Sequence, residues 1–163
     1  MSEKVTLTRL ECFDAAMVGI LRFIESLFAG REDNGGAKDE DFCTRIGIDI
    51  LGAMGELVIA KILNLHWSRS INGFKTTPDI EPNLEVKTPR KSHHRLMIRK
   101  GDDPSRIYVL VLPDPEPPFF KVVGSIRGFD AMLEEHVENP GNRGEAYFVP
   151  TEKLRPWSEG LAE

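Results

Sequence analysis

Leu10, Phe13, Met17, Ile20, Leu21, Ile24 and Leu27 recur every three or four positions, and this spacing predicts a helix from about Thr8 to Ala29. Thr8 stands at the N-cap with Glu11 at the capping-box position, and Gly30 suits the C-terminal end. Arg31 to Asp41 is polar with paired glycines and reads as a mobile loop. A second helix is predicted from about Phe42 to Asn64; it is apolar on most sides and so expected to be largely buried. Ile46, Ile50, Ala53, Leu57 and Ala60 form one of its faces. Gly47, Gly52 and Gly55 each cost about 1 kcal/mol relative to alanine inside a helix, a cost that makes sense if another backbone passes close by.

Beyond this helix the apolar period shortens to two. His66 to Lys75 suits a strand or turn with Trp67 and Phe74 as packing residues. Leu84, Val86 and Thr88 interleave with Glu85 and Lys87, the alternation of a half-buried strand. On such a strand Glu85 and Lys87 share one face and Val86 takes the other. Pro78, Pro82 and Asn83 are turn residues, so Asp79 is expected to end one strand and Glu85 to open the next. Leu96 to Ile98 begins a further strand. Ile107 to Leu112 is an unbroken apolar run, as in a central strand covered on both faces. Phe119 to Ile126 reads as another strand, Phe129 to Val137 as a short helix and Ala146 to Val149 as the last strand.

These 163 residues suffice for one α/β domain with a proper core and are too few for two. The expected divisions are an N-terminal helix and loop to 41, a core over 42–150 and a tail over 151–163. Hydrophobic residues at 40% and charged residues at 29% are ordinary for a globular chain. No window is long and apolar enough to span a membrane, and the N-terminal residues do not read as a secretory signal. Cys12 and Cys43 form no pairing pattern and are expected to be buried thiols in a reducing cytoplasm.

A net charge of −5 argues against a protein that coats nucleic acid generally. The average hides a local excess, because between Val86 and Lys100 the charged residues are all basic. Arg90, Lys91, His93, His94, Arg95 and Arg99 form a strip suited to phosphate contact. His93 and His94 lack the company of a zinc site.

The strip follows two carboxylates, Asp79 and Glu85, with Lys87 beside them. Two carboxylates with few other donors suit Mg²⁺ or Mn²⁺ rather than zinc. A neighbouring lysine contacts phosphate or helps to orient and deprotonate water. Glu56 is either part of a solvent-facing strip with Lys61 and Asp49 or a further carboxylate aimed at this site.

Pro78-Asp79 and Glu85-Val86-Lys87 together resemble the motif of the PD-(D/E)XK nuclease superfamily, the restriction-endonuclease-like fold. The Gly-Ala-Met-Gly-Glu run ending at Glu56 is similar to the helix that carries a glutamate ahead of the catalytic hairpin in many members. The resemblance covers roughly Phe42 to Val149. It implies an αβββαβ core with a mixed central sheet flanked by helices, here preceded by an extra N-terminal helix. The family usually places a helix before its buried strand, where only Gly101 to Arg106 is available. The resemblance further implies Mg²⁺-dependent hydrolysis of DNA phosphodiester bonds, endo- or exonucleolytic, with Mn²⁺ able to substitute. Asp79, Glu85 and the Val86 carbonyl would hold the metal, Glu56 would bind it directly or through water, and Lys87 would position or activate the attacking water. A catalytically inactive nucleic-acid-binding or assembly protein on the same fold is the leading alternative, and a small hydrolase of nucleotides is another. A homodimer fits two-strand cleavage, and a protein partner would supply any sequence specificity.

Overall fold

Thr8 begins the first helix with a capping box: the Glu11 amide donates to its hydroxyl at 3.3 Å and its own amide donates to the Glu11 carboxylate at 2.6 Å. In the computed structural model, which describes residues 3–29, 40–71, 76–91 and 93–157, this helix is α1, Arg9–Phe28. The second, α2, is Phe42–Leu63; the Asp41 carboxylate caps its start and Asn64 ends it in the left-handed conformation. Both helices lie where the 3.6-residue period puts them. Most of the loop read over 31–41 and the end of the C-terminal tail lie outside the described residues.

Four strands, β1 (Glu3–Thr6), β2 (Leu84–Lys87), β4 (Ile107–Pro113) and β5 (Phe119–Arg127), form a mixed sheet in the order β1-β5-β4-β2. Only the β2–β4 pair in it is parallel. A second, antiparallel sheet joins β3 (Leu96–Arg99), β7 (Ala146–Val149) and β6 (Val137–Glu138) in the order β3-β7-β6. The architecture is therefore mixed α/β with three layers: the helix pair, the mixed sheet and the smaller sheet.

Alternation along β4 explains the layering. Ile107, Val109 and Val111 join a core with Val58 and Ile59 of α2, while Tyr108, Leu110 and Leu112 join a second core with Leu96, Ile98 and Val149. Every residue of β4 is buried, as its unbroken apolar run predicts. The far face is covered by a sheet because the segment between β3 and β4 is a run of turns around Pro104 and has no room for a helix. This corrects the expectation of one central sheet flanked by helices.

Other expectations also change. Residues 66–71 and 76–79 form no strand, and 72–75 lie outside the described residues; Ile80 and Leu84 make an isolated antiparallel bridge just before β2. The helix expected over Phe129 to Val137 breaks into α3 (Gly128–Ala131) and a 3-10 turn at Glu134–His136. The ring Nδ1 of His136 donates to the Ala131 carbonyl at 2.7 Å, taking the acceptor that a continued helix would use. Cys43 is exposed and Cys12 half-buried, so neither is a fully buried thiol; Cys43 lies in the first, solvent-facing turn of α2.

The helical glycines differ from one another. A Cβ at Gly55 would sit 1.8 Å from Thr88 Oγ1, so this glycine lets the end of β2 approach α2, but Gly47 and Gly52 face open space. The backbones of α1 and α2 approach closely at Gly19, where a Cβ would lie 2.4 Å from Ile50 Cα. Among the described residues, no helix is long and apolar enough to cross a membrane.

Candidate active site

β2 is an edge of the mixed sheet, and its alternation sends Leu84 and Val86 into the core below α2. Glu85 and Lys87 take the opposite face, where Glu85 is in register with Tyr108. Asp79 lies just before the Ile80–Leu84 bridge, and its Oδ2 accepts the Val86 N–H at 2.8 Å. The bond is to the strand, not to the local turn. Asp79, Glu85 and Lys87 all line one cavity of about 450 Å³. Arg22 of α1 and Asp49 of α2 also line it, as do Arg99 at the end of β3 and Asp102 and Arg106 from the turn that follows.

Ion pairs organise this lining. Arg106 Nη1 donates to Glu85 in a very short contact and to the Thr77 carbonyl at 3.3 Å. Lys87 Nζ lies 3.1 Å from Asp102 Oδ2 and 3.9 Å from Glu85 Oε2, and 5.5 Å from the centre of the Tyr108 ring. Asp102 is fixed in turn by the Arg99 amide at 3.2 Å. The lysine is thus held between two carboxylates on the cavity wall.

Glu56 is buried rather than solvent-facing. Arg22 Nη1 and Nη2 donate to its two oxygens at 2.5 and 2.8 Å, and Trp67 Nε1 donates at 3.0 Å. Arg22 is oriented by a further bond from Nε to the Ser70 carbonyl at 2.8 Å. The bidentate fork and the indole engage both oxygens of Glu56.

Burial, joined by like charge at Asp79, marks the centre of the site. Burial, then the charges of Glu56 and Glu85, push the Asp79 carboxyl up to about 7 against the pull of the Val86 amide and Lys87. Burial also holds Glu85 above the usual carboxylate range in spite of Lys87 and Arg106. Burial and the carboxylates of Asp102 and Glu85 push the Tyr108 phenol up, so it serves as a neutral donor to the Asp103 carbonyl at 2.8 Å.

Among the described residues, no three His, Cys, Asp or Glu side chains group closely enough to hold a metal ion by themselves. Asp79 and Glu85, which share the cavity lining, nevertheless offer oxygen donors only. Two carboxylates with water completing the shell is the pattern usual for Mg²⁺. Burial and the charges of Glu56 and Glu85 raise the Asp79 carboxyl, and a bound cation would favour its ionised form. By donor chemistry the set fits a hard divalent ion.

Of the basic strip, Arg99 alone among the described residues lines the cavity. Arg90 pairs with Glu40 at 2.8 Å, and Arg95 makes a fork to Glu138 at 2.7 Å while lying over Phe148. Lys91 and His93 are exposed and His94 half-buried; the two imidazoles meet edge to face at 4.8 Å. Burial and the charges of His93, Lys91 and Arg90 hold His94 below its ordinary range. The strip is acid-free in sequence, but the fold supplies acids to part of it.

Sequence reasoning does not bring Arg22, Asp102, Arg106 or Tyr108 into the site. A buried strand immediately following Arg106 was the one usable signal, since a charge abutting such a strand needs a partner. Comparison of the chain with protein-family models, with curated proteins and with solved structures finds no match.

Proposed function

We propose that this chain is a divalent-metal-dependent nuclease that hydrolyses DNA phosphodiester bonds, built on a restriction-endonuclease-like core. The observation that carries the reading is the meeting of Asp79, Glu85 and Lys87 on one cavity, with Asp79 bonded to the strand that bears the other two. Asp79, Glu85 and the Val86 carbonyl would hold Mg²⁺, or Mn²⁺ in its place, and the ion would supply charge stabilisation at the scissile phosphate. Lys87, steadied by Asp102, orients the attacking water and balances charge on the phosphate. Arg99 and Arg106 add positive charge to the cavity lining. Glu56 acts through its charge on Asp79 and by fixing Arg22 at the cavity wall; ligation by Glu56 would require release from Arg22 and Trp67.

The test is Lys87→Ala. Metal-dependent cleavage is expected to fall by about a hundredfold or more, with DNA affinity nearly unchanged. Full cleavage by this variant would remove Lys87 from the mechanism.

One set of contacts favours a second reading, a nucleic-acid-binding or assembly protein without turnover. Glu85, Lys87 and Glu56 all engage protein partners, as in a site closed on itself. Mg²⁺-dependent cleavage separates the two readings directly.

A further inference from the structure

The two faces of α1 have opposite fates. Ala15, Val18, Gly19 and Phe23 are buried, and Gly19 allows the close approach to α2. Leu10, Phe13, Met17, Leu21, Ile24 and Phe28, at i, i+3, i+7, i+11, i+14 and i+18, are 37–88% exposed. They form a straight apolar stripe along the whole helix, on the side turned from the core.

The stripe is too large to be incidental. At about 200 Å² for a large apolar side chain fully exposed, these fractions leave a patch of about 700 Å². The largest patch on a typical monomer is about 300–600 Å², whereas one partner in a stable protein complex contributes about 800 Å². Residues 30–39, which follow α1, contain Ala37 as their one apolar residue besides glycine and so bring no apolar cover. The net charge of −5 disfavours an anionic lipid surface as the occupant.

The period of the stripe selects a helix as its partner, since side chains three and four apart form ridges that fit the grooves of another helix. A second copy of α1 offers the same stripe at the same length. Packed antiparallel about a twofold axis level with residue 19, it sets Leu10 against Phe28 and Met17 against Leu21. Charge fits this direction as well. The last turn of α1 has no basic residue, and Arg9 is exposed at its first position. An antiparallel partner brings its Arg9 to those C-terminal carbonyls, where a cation is favoured.

We propose that the outer face of α1 is a homodimer interface in which the helix packs antiparallel against its copy. The proposal rests on α1 alone and does not depend on the nuclease reading.

Sedimentation of the full chain at micromolar concentration tests it. The wild type is expected at twice the 18.3 kDa of one chain, and Phe13→Glu/Leu21→Glu at the mass of one chain with an unchanged helical circular-dichroism signal. A wild-type monomer, or a dimer that survives the double substitution, overturns the proposal. A monomer that floats with neutral lipid vesicles assigns the face to lipid and overturns it equally. If the double variant does not fold, Met17→Cys/Leu21→Cys in a Cys12→Ser/Cys43→Ser background keeps the stripe largely apolar: an intermolecular disulfide under mild oxidation supports the antiparallel pairing, and its absence contradicts it.

Discussion

The carboxylate of Asp79 accepts the main-chain N–H of Val86 at 2.8 Å, which ties the turn acid to the strand carrying Glu85 and Lys87. The bond lowers the cost of burying Asp79 but does not cancel it, and the carboxyl stays at about 7.

That value gives a pH dependence with a definite sign. An unfolded aspartate titrates near about 3.9, so the folded chain holds this proton more tightly than the unfolded chain does. The resulting stability is complete below about pH 4 and is lost as pH rises through about 7, by at most about 1.4 kcal/mol per pH unit. Exposed acids such as Glu138, held below their ordinary range by Arg95, act in the opposite sense. The readout is therefore the difference between wild type and Asp79→Asn in EDTA. The variant is expected to gain on the order of 2 kcal/mol over wild type between pH 4 and 8 by urea unfolding. A difference that stays constant across that range would show that Asp79 ionises freely in the fold.

Arg22 is half-buried over the buried Glu56, and a one-sided cut should be costly. Arg22→Ala leaves the Glu56 charge with the Trp67 indole as its remaining described partner, and a loss of about 3–5 kcal/mol is expected. Arg22→Met/Glu56→Gln removes both charges and should recover most of it. Denaturant unfolding of the cycle measures the coupling. A loss for Arg22→Ala below about 1 kcal/mol, the worth of an exposed pair, would contradict the buried geometry.

Two glycines of α2 should respond in opposite directions. Gly52→Ala meets open space and should stabilise by up to about 1 kcal/mol through helix propensity. Gly55→Ala drives a methyl into Thr88 beside β2 and should cost about 1–3 kcal/mol. Thermal unfolding of the two variants checks the contact; equal shifts would mean that α2 and Thr88 do not meet.

Much of this arrangement was legible because it is local. α1 and α2 show in the apolar period and in the Thr8 capping box, β2 in the alternation from Leu84 to Lys87, and β4 in its unbroken run. The Asp79, Glu85 and Lys87 group could be read from turn residues and strand alternation over nine positions. The remainder depends on distant pairing. β1 is four mostly exposed residues that become a strand only against β5. β3 finds β7 almost fifty positions away, which splits the strands into two sheets. Arg22 reaches Glu56 across 34 positions, and no periodicity announces that contact. The period of α1 defined its apolar stripe but not its direction, because the face that meets α2 is built largely from small residues such as Ala15 and Gly19.

The measurement that bears most directly on the central claim is cleavage of labelled single-stranded, double-stranded and branched DNA by wild type and Asp79→Ala, with Mg²⁺, Mn²⁺ or EDTA. The account predicts cleavage of at least one substrate that requires the metal and disappears in the variant. Cleavage that persists in EDTA or in Asp79→Ala, or a wild type that cuts none of these substrates with either metal, would contradict it.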